Sequence, residues 1–547
     1  NCKIITQMSN KVYIALTIGP IYKTISEAKR TRSVWAASYF FSWFIKRILE
    51  EAVNKGFHVF LPDTSLGKSK EKKYIGVNGS YGAGLYADRL YFIKDKKTNK
   101  SELQKIVETI IEEVEKLSNE EITKAFLKDY LNIHIIEKQI SYNDIKGNDF
   151  PLSILNKALD NNELHQNFNF DFKKNELQVY FTNKTNAKVS FLSKDAFGEQ
   201  NQRKFKSIPE IATKSFSRIP EFKGIYNKAI NNDLKSKEDT NFIEELIKAE
   251  LPILPHHKYF AVIYGDGDNI GKTLTAINEK NLDIKIFSKA LFEFGVRAEV
   301  TIHTYGGNGI YLGGEDILIF APVACVSQEK GNSLNTVFDL IKLLDIDFKD
   351  TVQKYATENQ LSVPTMRYGL KISYYKHPLK ETMSDAYKLM EEAKKNGKNA
   401  IKIRFQKHSG QYMQGLILKM NGKSTETIYN IIKYYCSKLN IPTFNNQDKN
   451  QKDKKVELLS SIIQNFRDEN FFLLCSNAVE NNTLDSLFSN FFNEDIHAET
   501  EIGVFLNHVK LLCESIIKDY AADLPNAKDN IYLTLRFIHF INSEIEN

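Results

Sequence analysis

The sequence predicts an α+β protein: two sheet-and-helix domains, a small mostly helical domain between them, and a helical C-terminal domain. Three observations carry this expectation. Tyr259-Phe260-Ala261-Val262-Ile263-Tyr264 is a continuous apolar run, as in a strand buried on both faces, and it ends abruptly in Gly265-Asp266-Gly267-Asp268-Asn269. Two short apolar runs, Ile310–Leu312 and Ile317–Phe320, flank Gly313-Gly314-Glu315-Asp316 and read as a β-hairpin with two carboxylates at its turn. Beyond Leu458, amphipathic stretches follow one another with almost no strand signal, which reads as a helical bundle. The expected domains are 1–150, 151–255, 256–410 and 411–547.

In chain order, Lys11 to Ile18 reads as a strand, Gly19-Pro20 breaks it, and Ile21 to Glu51 continues as helix. Within that helix, Lys29, Arg30 and Arg32 precede an aromatic stripe around Trp35, Tyr39 and Phe40. This is a buried aromatic face beside a basic face that is either solvated or in contact with phosphate. Gly82 to Ile93 reads as a second hairpin. Set against the first, it places Asp88-Arg89 at Glu315-Asp316, so a strand–helix–hairpin unit occurs twice, around 11–93 and 258–320. In this alignment the first copy has lost its acidic pair, because Arg89 would repel a metal ion. Ser101 to Leu117 is helical, Asn132 to Ile140 a strand, and Glu176 to Leu192 two short strands. Asn231 to Thr240 and Asn445 to Lys455 are polar and read as exposed or mobile. Leu334 to Val352 is helical, Pro364 to Tyr375 a strand with Arg367, Gly369 and Lys371 at alternate positions, and Ala400 to Phe405 a last strand. Met383, Ala386, Met390 and Ala393 share a helical face between them.

Composition narrows the class. The 547 residues allow about three or four domains, and 42% hydrophobic with 26% charged residues is ordinary for a globular chain. A net charge of +6 permits nucleic-acid contact without demanding it. Cys2, Cys325, Cys436, Cys475 and Cys513 are scattered, which argues against a zinc ribbon or a disulfide framework and suits a reducing cytoplasm. No signal peptide and no membrane-spanning run are expected.

The chemistry concentrates at Asp266 and at Glu315-Asp316. Alone, Gly-Gly-Glu-Asp is a solvated acidic turn, and its glycines take positive φ cheaply while leaving room for a ligand. Neighbouring strands lie about 4.8 Å apart. If the two stretches pair, Asp266 and Asp316 share a divalent ion such as Mg2+ or Mn2+, with substrate phosphates completing the shell. Gly265 to Thr273 imitates a P-loop, but counting back from Gly271 the required first glycine falls on Asp266. Lys395 and Lys398, near a helix C-terminus, either reach a triphosphate or simply complement the helix dipole.

A strand-end aspartate with a Gly-Gly-acid-acid hairpin resembles the palm of nucleotide cyclases and polymerases. More of the chain resembles one family, the large polymerase/cyclase-like subunit of type III CRISPR effector complexes, especially the Cmr type. The stretches are Thr17-Ile18-Gly19-Pro20, Ala28–Arg32 with Trp35–Ser38, Ile208–Thr213, Asp266–Gly271, Gly313–Asp316, Lys376–Leu379, and Ala393-Lys394 with Gly397–Ala400. The resemblance implies two facing ferredoxin-like palms with ATP at their junction. It implies Asp266, Asp316 and Glu315 as catalytic and metal-binding residues. It also implies a nucleotide cleft shaped by Gly265, Gly267, Asp268, Asn269, Gly271, Gly313, Gly314, Lys395 and Lys398.

The implied activity is nucleotidyl transfer from ATP, triggered by target RNA and yielding a cyclic oligoadenylate second messenger for antiviral defence. Alternatives are joining of AMP to S-adenosylmethionine, or a silent scaffold. Implied partners are the other effector subunits, the guide CRISPR RNA and the target RNA. The chain departs from the family at Glu315, where Asp is usual, and it lacks a cysteine zinc site between the palms. With no His-Asp dipeptide, no HD nuclease is expected.

Overall fold

The computed structural model of the chain describes residues 11–64, 81–96, 98–141, 150–164, 175–183, 191–197, 205–233, 242–328, 333–419, 422–437, 459–492 and 501–543. The polar stretch 445–455 and most of 231–240 lie outside them.

The first sheet holds β1 (Lys11–Gly19), β2 (His58–Leu61), β3 (Arg89–Ile93) and β4 (Asn132–Ile140), in the order β2-β3-β1-β4 with every pair antiparallel. Alternation along β1 sends Ile14 and Leu16 to the core of helices 31–54 and 100–117. Tyr13 and Ala15 go to the opposite face, where they meet Tyr91, Leu155 and Leu159. Helix Pro151–Glu163 is therefore packed on the first sheet rather than standing apart from it.

The second sheet repeats the plan. It contains β5 (Tyr259–Asp268), β6 (Asn308–Gly313), β7 (Asp316–Pro322) and β10 (Thr365–Tyr374), in the order β10-β5-β7-β6 and again antiparallel. Both orders are the ferredoxin-like one, so the internal repeat read from the sequence is a repeat of topology. β11 (Ala400–Gln406) and β12 (Tyr412–Leu418) widen the second sheet past residue 410. Between these elements β8 (Ala324–Val326) and β9 (Leu334–Thr336) form a two-stranded ribbon, and the helix expected from Leu334 begins at Val337. Among the described residues the C-terminal region is helical, ending in Leu524–Asn542. This helix docks on β12, with Asn526 and Asn530 side-chain N–H groups donating to the Leu416 carbonyl at 3.2 and 2.8 Å.

Three expectations change. The helix expected over 21–51 is two helices, Ile21–Glu27 and Thr31–Asn54, because Ala28 and Arg30 are extended. No glycine or proline marks that break; Thr31 is held instead by its hydroxyl on the Lys206 carbonyl at 2.7 Å. Glu176 to Leu192 holds no strand among its described residues. Glu176–Asn183 and Phe191–Phe197 are helices, and Leu177, Tyr180 and Phe181 are buried at helical spacing. Gly82 to Ile93 is not a hairpin either. Its first half runs along the edge of β6, with Leu312 N–H donating to Gly84 O at 2.8 Å and Ala83 N–H to buried Glu299 at 2.8 Å. That segment ties the first palm to the second.

Candidate functional site at the junction of two palms

The site follows from strand registers. Phe260 to Ile263 are fully buried, which fixes β5 in the middle of its sheet. Its final pairings with β7 are Tyr264↔Leu318 and Gly265↔Ile317, so Asp266 and Asp316 are the next residues outward, on the same face. Gly314 takes φ +71° at the first turn position of the β6–β7 hairpin, where tight hairpin turns call for it. Asp266 and Asp316 line a cleft of about 590 Å³ between the palms.

The other wall comes from the first palm, through Ile18 to Lys23 and Asp88. Here the alignment of Asp88-Arg89 with Glu315-Asp316 is one residue out. Ile18 N–H donates to Asp88 O, and Asp88 faces the cleft, whereas Arg89 turns away to Asp160 at 2.5 Å and Glu163 at 3.2 Å. A slip of one residue moves every side chain to the opposite face. At the start of β3 the first palm thus offers the cleft a carboxylate rather than a repelling cation.

Asp316 is exposed on the floor of the cleft. The surrounding walls still remove enough solvent to push its carboxyl up to about 7, with the charges of Glu315 and Asp88 adding to the shift and Lys394 opposing it. Burial also raises Asp88 and Glu315. Among the described residues no three His, Cys, Asp or Glu side chains converge tightly enough to hold a metal alone. Two carboxylates, crowded by like charge and open to a cleft, do suit a hard cation completed by phosphate oxygens.

Other predicted residues are placed differently. Glu315 is not among the cleft-lining residues. A Cβ on Gly267 would come within 2.7 Å of the Glu315 Cβ, so Glu315 lies over the glycine face of β5, away from Asp266. Gly265 and Gly313 give room to Ile317 and Tyr311 in the same way, rather than to a ligand. Gly271 and Gly314 have open space at their Cβ positions. Asp268 is engaged within the protein: Arg367 Nη1 donates to one oxygen and Asn399 N–H to the other at 2.7 Å. Asn269, at φ +64°, accepts from Lys398 Nζ at 3.1 Å, which ties that lysine to the protein. Lys395 is exposed and absent from the cleft wall.

Sequence reading missed Arg367, Lys394 and three tyrosines. Arg367 is 2% exposed and ion-paired to both Asp266 and Asp268. Tyr387, Met390, Glu391 and Lys394 form the cleft-facing stripe of helix Leu379–Lys395, a 3–4 spacing that could have singled out Lys394 over Lys395. Tyr387 packs on Tyr22 of the first palm at 5.3 Å and on Tyr264 at 5.6 Å.

Two ferredoxin-like sheets, the second with a Gly-Gly-acid-acid hairpin facing the first, define a palm protein of the nucleotidyl cyclase/polymerase type. Residues 259–402 match the second palm domain of Cas10/Cmr2, and residues 13–126 match the N-terminal part of the CRISPR-associated protein Cmr2. Over these two stretches the chain is similar to Cas10/Cmr2 proteins. It is 26% identical over 223 residues to the Cmr subunit Cmr2 of Pyrococcus furiosus. The match covers 36% of this chain and 23% of that relative, so it spans about a quarter of the relative's length. Among solved structures, the apo state of the type III-B Cmr-beta complex aligns with 12% identity over 78% of this chain and 74% of that one, at a TM-score of 0.48. The Csm1-Csm4 cassette in complex with one ATP aligns with 13% identity over 92% and 70%, at a TM-score of 0.45. No helix among the described residues is long and apolar enough to cross a membrane.

Proposed function

We propose that the inter-palm cleft performs nucleotidyl transfer from ATP with Mg2+ or Mn2+. The chain would act as the signalling subunit of a type III RNA-guided antiviral complex, with the other effector subunits, guide CRISPR RNA and target RNA as partners. The observation that supports this most is the pairing of β5 with β7, which sets Asp266 and Asp316 side by side on the cleft face. A divalent ion held by Asp316 and Asp266 would supply charge neutralisation for the triphosphate and the leaving pyrophosphate.

The chain's own groups do the rest. Lys394 meets the triphosphate, and the rings of Tyr264 and Tyr387 offer faces to a base. In the transfer, a ribose 3′-hydroxyl oxygen bonds to the α-phosphorus of ATP. The α–β bridging P–O bond breaks, pyrophosphate leaves with the electron pair, and the hydroxyl proton passes to solvent. With ATP as both acceptor and donor, the product is oligoadenylate that closes into a ring.

A second reading, transfer of AMP to S-adenosylmethionine, has one observation in its favour. Tyr22 and Tyr387 share the cleft wall with Asp88, Glu163 and Glu391, an aromatic and acidic lining that suits a sulfonium cation. The test is mass spectrometry of the assembled, target-activated complex with ATP and Mg2+, with and without S-adenosylmethionine, for the parent, Asp266→Asn and Asp316→Asn. The parent is expected to make cyclic oligoadenylate and both variants to lose it while still assembling. A product seen only with S-adenosylmethionine selects the second reading. Equal turnover in parent and variants overturns the metal assignment, and no AMP-containing product from any of them leaves a scaffold.

A further inference from the structure

A second concavity lies at the far edge of the second sheet, where β12 is outermost and three strands removed from β5. It has a volume of about 780 Å³ and runs between the β11–β12 turn, a helix over 459–467, and helix Leu524–Asn542. Four cations line it, Lys407, Arg467, Lys528 and Arg536, against one carboxylate, Asp529. Neither arginine side chain has an ion pair or hydrogen bond among the described residues. In the comparably large groove on the first palm, two of the three lining lysines are neutralised instead. There Lys105 is paired to Glu102 at 2.7 Å and Lys128 to Glu108 at 3.6 Å.

Cations gathered in such excess in one hollow repel one another, and a polyanion relieves that repulsion. The wall also carries an aromatic platform. Tyr412 is 59% exposed, and the Arg404 guanidinium lies 5.0 Å from its ring centroid, which stiffens the ring. Gly410, at φ +86°, closes the turn that presents it. Clustered cations beside an exposed, supported ring is the arrangement that takes a phosphate backbone and a stacked base together. An inorganic phosphate would use only the cations and leave the ring without a purpose.

We propose that this groove binds a segment of single-stranded RNA, with Arg467 and Arg536 on phosphates and Tyr412 under a base. The inference deepens the RNA-partner part of the proposed function and makes no use of the transfer chemistry. It is tested on the full chain, without nucleotide, by fluorescence anisotropy with labelled 20-mer oligo(U) and oligo(A) RNA across a salt series. The variants are Arg467→Gln, the double variant Arg467→Gln/Arg536→Gln, and Tyr412→Ala, each checked for an unchanged thermal midpoint.

Removing one arginine–phosphate interaction lowers the slope of log affinity against log salt by about 0.7, so the double variant is expected to lose about 1.4. It is also expected to bind at least about tenfold more weakly. Tyr412→Ala is expected to bind roughly tenfold more weakly with its slope unchanged, as loss of a stacking face requires. Parent-like affinity and slope in the double variant would overturn the proposal. So would polyglutamate competing as well as RNA, which would assign the groove to an acidic protein. Failure here is separable from failure of the transfer reading, because Asp316→Asn is expected to bind these RNAs like the parent while losing turnover.

Discussion

Arg367 and Asp266 stand directly opposite each other on β10 and β5, and they are ion-paired. The other guanidinium nitrogen holds Asp268 two residues along the same strand face. The candidate metal ligand is therefore already steadied by a cation of the protein's own, buried at 2% exposure. Arginine suits this place because its rigid fork spans two carboxylates and it stays charged when buried. Burial works against the pair, raising the Asp268 carboxyl and lowering Arg367, so neither partner is comfortable alone.

Removing the arginine should therefore be costly. Arg367→Ala leaves Asp268 buried without its main partner, and breaking such a pair costs about 3–5 kcal/mol. Urea unfolding of the purified chain is expected to show a loss of that size, with Asp268→Asn/Arg367→Met recovering part of it. A loss below about 1 kcal/mol would mean that the pair contributes little.

Lys394 and Lys395 offer a sharper comparison, since they are neighbours of identical chemistry. Only Lys394 lines the cleft. A hydrogen bond to a charged group is worth about 1.5–3 kcal/mol. Lys394→Ala is thus expected to weaken ATP binding by ten- to a hundredfold, and Lys395→Ala to leave it unchanged. Isothermal titration with ATP and Mg2+ decides it, and equal effects would show that the positive helix end acts without regard to position.

How much of this was legible depends on the range of the interaction. The apolar run of β5 and the Gly-Gly turn are local signals, and both elements lie where the sequence put them. Arg367 was visible at an alternating strand position, but its partners are about a hundred residues earlier, and nothing local states that β10 pairs with β5 in that register. Asp88 was misaligned by one residue for the same reason: its strand partner β1 is distant, and period-two patterning gives the alternation without its phase. Helices 176–183 and 191–197 are both too short for periodicity to register, and the first carries the β-branched Val179 and Thr182. Tertiary packing on helix 31–54 decides the first of them.

Gly369 tests whether the cleft wall is rigidly mounted. A Cβ there would collide with Ala386 O and Met390 N, both backbone atoms that cannot swing aside. Gly369→Ala must lift helix Leu379–Lys395, which carries Tyr387, Glu391 and Lys394, off the sheet. Overpacking of this kind costs about 1–3 kcal/mol. A lower thermal midpoint together with weaker ATP binding is expected. A lower midpoint with unaltered binding would show that the wall of the cleft tolerates the shift.

The last prediction concerns His256 and His257, buried in the short turn Pro255–Lys258 that leads into β5. His257 Nδ1 accepts from Leu254 N–H at 3.0 Å, and the ring lies 4.4 Å from Phe216. Burial pushes His256 down to about 4 and His257 well below its ordinary value, with the charge of His256 adding to the second shift. Both histidines are therefore neutral in the folded chain at pH values where the unfolded chain, near 6.5, takes up protons. Stability is fully present above about pH 7 and is lost as the pH falls below 6.5. Between pH 7.5 and 5.5 each histidine is expected to remove about 1.4 kcal/mol, close to 3 kcal/mol for the pair. Urea unfolding at those two pH values should show that loss in the parent and about half of it in His256→Phe, which keeps a ring of similar size in the hollow. A His256→Phe variant that loses as much as the parent would mean that His256 does not hold its neutral form against the unfolded chain.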